Sequence, residues 1–231
     1  MKRYLFAALL LAGCLSILSC GSKSPAAPTI TIPTGNPNGP MINAGITRQT
    51  IVLSGTPTSN SACQVVLTTA QATPIAATGV TLVAPGPVYI PLTAGSTGYY
   101  SDTGSGWTYQ PGQTYTIQVG ISGTLYTGSI VLPGNVTIPP FTAPGPIVWS
   151  YPGNEDVVTV MEQFSPYTSH TVGPVATSGS VSTASSTYFP STGSYSIQVN
   201  VIKTAIGCFG ANAYPSALIT GTDQYGGTYT K

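Results

Sequence analysis

The chain has 231 residues, of which 27 are Gly, 21 Pro, 34 Thr and 24 Ser, and only 5% carry a charge, against about 25% in an ordinary soluble domain. Five acidic and six basic residues cannot dress the solvent faces of long amphipathic helices, so a helical bundle or coiled coil is excluded. The same balance sets the chain apart from ordinary cytosolic enzymes.

In chain order, the first predicted element is a secretory signal. Met1, Lys2 and Arg3 precede an apolar run over 4–18 broken by Gly13, Cys14 and Ser16: a basic start, a short apolar stretch and small residues at the cut site. The run is too short to span a bilayer. Leu11, Ala12, Gly13, Cys14, and likewise the surroundings of Cys20, resemble the lipobox of bacterial lipoproteins, whose Cys becomes diacylated and N-terminal. Cleavage before Cys14 leaves apolar Leu15, Ile17 and Leu18 beside the lipid, whereas Cys20 is followed by Gly21, Ser22, Lys23, Ser24 and Pro25, a polar start suited to a tether. Cys20 is therefore the expected lipid attachment site and Cys14 the alternative; a plain signal peptide with a stray Cys is the competing reading. Gly21 after the Cys resembles the pattern that sends such lipoproteins to an outer membrane.

Cleavage there leaves Lys23, Arg48, Lys203 and Lys231 against Asp102, Glu155, Asp156, Glu162 and Asp223, a mature charge near minus one. No Lys or Arg occurs between Gln49 and Ile202. Nucleic-acid binding needs clustered cations to displace counterions and is excluded. Headgroup binding through a basic patch fails likewise, so membrane attachment would rest on acyl chains alone.

Residues 20–40, rich in Ser, Pro, Thr, Gly and Asn, are expected to form a flexible tether. Beyond it, short runs of Val, Ile, Thr and Tyr alternate with Gly, Pro, Asn and Ser clusters, which predicts antiparallel strands in an all-β sandwich or barrel. The halves repeat in three ordered matches. Ile51, Val52, Leu53, Ser54 answers to Ile147, Val148, Trp149, Ser150; the run 63–68 answers to 157–162; Tyr115, Thr116, Ile117, Gln118, Val119 answers to Tyr195, Ser196, Ile197, Gln198, Val199. Pro133, Pro139, Pro140, Pro144 and Pro146 mark a stiff joint. The expected organisation is signal 1–19, tether 20–40, β-sandwich 41–137 and β-sandwich 138–231.

The run 109–119, with Pro111 and Gly112 leading to Tyr115, resembles the corner and F strand of fibronectin type III and related immunoglobulin-like domains, where the Tyr hydroxyl bonds back to the corner's backbone. Tyr195 after Phe189, Pro190 and Gly193 resembles the same corner, and 146–152 resembles the family's B strand with Trp149 in the core. The resemblance implies two tandem antiparallel sandwiches with Tyr115, Tyr195 and Trp149 as structural residues, and carries no function.

Candidate chemistry is sparse. His170 is the only His and has no adjacent nucleophile elbow or orienting acid, so no catalytic residue is assigned. One His with scattered acids cannot furnish a zinc site, and nothing pairs two carboxylates for glycoside hydrolysis. No cofactor is expected. Asp102, Glu155 and Asp156 are candidate calcium ligands if the domains join end to end, against the simpler reading of solvated polar turns. Cys63, placed at the start of a third strand, and Cys208, in a late loop, are expected to lie roughly 17 to 20 Å apart and to stay free of each other. Tyr99, Tyr100, Trp107 and Tyr109 are the densest aromatic cluster, a candidate platform for a sugar ring or protein partner; the competing reading packs Trp107 and Tyr109 above Tyr115. The function expected is a lipid-anchored, non-catalytic binding or structural module of the cell envelope with a protein or glycan partner. The alternatives are a carbohydrate-binding surface protein and a subunit of a surface filament or secretion assembly.

Overall fold

Short β-branched runs separated by turn residues become strands throughout. The structure, a computed structural model, describes residues 35–52, 57–102, 106–135, 146–151, 153, 156–164, 167–175, 178–182 and 187–231. Those residues form strands and turns and no helix, as the all-β expectation requires. Cys14, Cys20, the expected signal and most of the expected tether lie outside the described residues.

The largest sheet runs β11 (Tyr167–Val175), β10 (Asp156–Phe164), β13 (Ser194–Ile206), β14 (Leu218–Thr230), β1 (Met41–Val52), β2 (Thr58–Thr68), β6 (Tyr99–Asp102), β5 (Thr93–Ala94). A four-stranded sheet runs β4 (Val88–Pro91), β3 (Gly79–Ala84), β7 (Thr114–Ile121), β8 (Thr124–Val131), and β9 (Ile147–Ser150) pairs with β12 (Ser178–Val181). Period-2 patterning sets the faces: along β7, Tyr115, Ile117, Val119 and Ile121 point inward while Thr114, Thr116, Gln118 and Gly120 point out. A two-residue turn closes β7 on β8, with Ser122 and Gly123 at φ 49° and 82°, the left-handed pair that matches strand twist.

The halves are joined through a sheet. Strand β1 pairs antiparallel with β2 and parallel with β14, in unbroken register from Asn43 opposite Leu218 to Val52 opposite Gly227. The expected boundary at 137/138 thus does not separate two sheets. One core holds Ile42, Ile46, Val65, Leu67, Leu82, Tyr115 and Ile117 from the first half together with Phe209, Ala213, Ala217 and Ile219 from the β13–β14 hairpin. The other holds Ile147, Trp149, Phe189, Tyr195, Ile197, Val199, Val201 and Tyr229. Strand β14 therefore enters the first core at Ile219 and the second at Tyr229. Phe209 lies so close to Gly128 that a Cβ there would sit 2.8 Å from its ring. The hairpin tip also grips the incoming chain, with Asn36 N–H donating to the Ala213 carbonyl at 2.9 Å and Tyr214 N–H to the Pro40 carbonyl at 2.9 Å.

Two strand placements correct the expected repeat. Cys63 lies within β2, not at the start of a third strand, and Ile51 and Val52 end β1. Strand β10 neighbours β13, whereas β2 lies in a different sheet from β7, which stands between β3 and β8. The runs 63–68 and 157–162 thus occupy different places, because a short apolar run of period 2 fits any strand of the fold.

Candidate functional site

Arg48 interrupts the inward apolar series of β1 (Ile42, Ala44, Ile46) on a strand that faces Asp223 across the parallel seam. Its Nε donates to Asp223 Oδ1 at 2.8 Å and its Nη2 to Oδ2 at 2.5 Å, a bidentate pair that suits the planar guanidinium. Nη2 also donates to Asn135 Oδ1. The guanidinium sits 5.1 Å from the centre of the Tyr109 ring, within cation–π range. Asp223 is 1% exposed, so its charge is held by these donors and not by water. Burial pushes the Tyr109 hydroxyl well above the ordinary phenol range; the Asp223 charge adds to this and Arg48 partly opposes it.

Beside the pair lies a cavity of about 350 Å³ lined by Arg48, Ser59, Asn60, Ser61, Trp107, Thr108 and Tyr109. Its chemistry is hydroxyl, carboxamide and aromatic edge, with a guanidinium neutralised by Asp223. Such a lining suits an uncharged polar group better than an ion.

The expected site residues fall as follows. Tyr100, Trp107 and Tyr109 are buried and Tyr99 is half-buried, which corrects the picture of an exposed aromatic platform. The Tyr100 hydroxyl accepts from Ala77 N–H at 2.7 Å. The Trp107 indole donates to Asp102 Oδ2 at 2.6 Å, and both Trp107 and Tyr109 pack on Tyr115, at 5.9 and 6.5 Å between ring centres. Period-2 alternation turns these rings inward, over the corner.

The calcium grouping does not assemble. Asp102 is on β6 and Asp156 on β10, five strand positions apart in one sheet, about 24 Å at about 4.8 Å per strand. Glu155 lies outside the described residues, among which no three metal-ligating side chains cluster. His170 stands edge-on to Tyr188 at 6.4 Å, on the edge strand β11; the β10–β11 register puts it in the row next to Glu162, on the opposite face.

Tyr115 is buried; its hydroxyl donates to the Thr108 carbonyl at 2.9 Å and accepts from Gln110 N–H at 2.9 Å. Tyr195 repeats the motif on Ser191, donating to its carbonyl at 2.8 Å and accepting from its N–H at 3.2 Å. Trp149 is buried opposite Gly179, where a Cβ would sit 2.3 Å from the indole. Cys63 and Cys208 are both free thiols, one buried and one half-buried, and both pack against the first core.

Sequence reasoning missed the Arg48–Asp223–Asn135 group. The available signal was a single Arg ahead of a long stretch without Lys or Arg. Compared with known families and with curated proteins, the sequence matches none.

Proposed function

We propose that this chain is a lipid-anchored cell-envelope protein, carrying two immunoglobulin-like or fibronectin type III-like sandwiches and acting as a non-catalytic binding or structural module. The order β4-β3-β7-β8 beside β1-β2-β6 and the two tyrosine corners support the finer fold assignment. The observation that carries the functional reading is the seam: β1, which follows the tether, is held from Asn43 to Val52 by β14, and β14 contributes to both cores. A unit gripped in this way presents its loops and strand edges as a stiff body, which suits recognition of an envelope partner.

The test is crosslinking in intact cells, followed by capture of the native protein and mass spectrometry of what comes with it. A stoichiometric protein partner is the expected result; free protein with no retained partner of any kind overturns the reading. The cavity beside Arg48 favours a glycan as the second reading, because its neutral hydrogen-bonding groups and aromatic edges suit a sugar. Retention on the cell's own polysaccharide, lost on Asn60→Ala, would select that reading.

A further inference from the structure

We propose that β8 is a docking edge for the β8 strand of a second copy of this chain, paired antiparallel so that Leu125 lies opposite the second copy's Val131 and Thr127 opposite its Ser129. The inference deepens the module reading on which it rests, by naming the edge and the partner.

Exposed strand edges are ordinarily blunted by shortness, charge, Pro or irregularity. Among the described edges, β4 has four residues and ends in Pro91, β5 has two, β9 and β12 have four each, and β11 carries Pro174 and a register shift against β10. Strand β8 has none of these defences. Its eight residues, Thr-Leu-Tyr-Thr-Gly-Ser-Ile-Val, include no charge and no Pro and keep unbroken register with β7.

The geometry then selects a register. The two-residue turn makes Ile121 and Thr124 the first hydrogen-bonded pair, so alternate residues Thr124, Tyr126, Gly128 and Ile130 direct their backbone groups to β7, and Leu125, Thr127, Ser129 and Val131 direct theirs outward. The same four side chains stand on the solvent face, with Leu125 64% and Val131 43% exposed. Setting Leu125 against Val131 across a two-fold axis also sets Thr127 against Ser129. Apolar then meets apolar and hydroxyl meets hydroxyl, each contact occurring twice. The axis passes at Gly128, a non-hydrogen-bonded position where opposing chains approach most closely and where this strand has no side chain. No like charges meet, and the joined sheets form one continuous sheet through both copies. The contact is small, so self-association is expected in the weak, transient class.

The test is sedimentation of the full chain over a concentration series. A monomer–dimer equilibrium is expected. Thr127→Pro removes an outward N–H without touching the β7 ladder and is expected to weaken dimerisation at least about ten-fold. Should that variant fail to fold, Thr127→Lys on the exposed face gives the same reading. Mixing Leu125→Cys with Val131→Cys chains under oxidation is expected to yield the mixed disulfide above the level of either variant alone. A chain monomeric throughout, or a dimer indifferent to both Thr127 variants, overturns the inference. A monomer that still captures a stoichiometric partner from cells sinks only the dimer, whereas a Thr127-sensitive dimer that captures none sinks only the heterologous-partner reading.

Discussion

Arg48 and Asp223 stand directly opposite each other in neighbouring parallel strands, 175 residues apart in the chain, and close a bidentate ion pair at the seam between the two halves. A buried pair of this kind contributes little net stability compared with apolar residues of the same size, but removing one partner strands the other charge. Its use here is positional. A one-residue slip of β1 on β14 would turn each side chain to the opposite face of the sheet and leave Asp223 buried without its donor.

Asp223→Leu and Arg48→Met, each alone, are expected to destabilise the protein by about 3 kcal/mol, near the lower end for a broken buried pair because Arg48 is partly exposed. The double variant carrying Arg48→Met together with Asp223→Leu is expected to recover most of that loss. Urea denaturation of the three variants checks both; additive losses in the double variant would show that the pair acts only as two independent side chains.

Phe209 comes from the hairpin of the second half and packs in the first core against Gly128. Phe209→Ala is expected to cost about 3 to 4 kcal/mol. It should also raise amide exchange in β7 and β8, far from it in sequence. Unchanged protection in those strands would mean that the first core stands without the hairpin.

Tyr115→Phe removes one hydroxyl that both donates to Thr108 and accepts from Gln110, at an expected cost of about 1 to 2 kcal/mol. Tyr195→Phe, which frees both groups of Ser191, is expected to cost the same. Equilibrium denaturation of the two variants gives the comparison, and a loss near zero in either would assign that corner's stability to ring packing alone.

Burial holds the Cys63 thiol well above its ordinary range, with the Asp102 charge adding to it, and Tyr109 is raised in the same way. A raised acid stays neutral in the folded state while its unfolded counterpart ionises. Stability from Cys63 is therefore complete below the ordinary thiol value of about 8.5 and that from Tyr109 below the ordinary phenol value of about 10; each falls as pH rises beyond its own value, by up to about 1.4 kcal/mol per pH unit. Thermal midpoints are expected to drop from about pH 8.5 upward, and Cys63→Val should flatten the first part of that drop. In the native protein Cys208 is expected to react with a thiol reagent before Cys63, and denaturant should expose both; equal native rates would contradict the burial of Cys63.

Where the signal was local, the sequence was legible. Tyr115 and Tyr195, each after a turn and at the head of an alternating strand, announced their corners, and Trp149 in a short apolar run announced a core position. Tyr100, Trp107 and Tyr109 were ambiguous because aromatic rings near a turn serve equally as surface platforms and as core lids; only the alternation around them, completed by neighbouring strands, turned them inward. Asp102 and Asp156 fit a joint on paper and stand five strand positions apart in the folded sheet.

The amino-acid sequence by itself determined the all-β class, the scarcity of charge and the tyrosine corners, because composition, period-2 alternation and turn chemistry act over a few residues. Only the tertiary structure decided which strands became neighbours. The parallel partnership of β1 with β14, the pairing of Arg48 with the buried Asp223 within it, and the sharing of Phe209 between halves join positions far apart in the chain. Strands of like pattern compete for the same neighbours until packing across the whole fold selects one register.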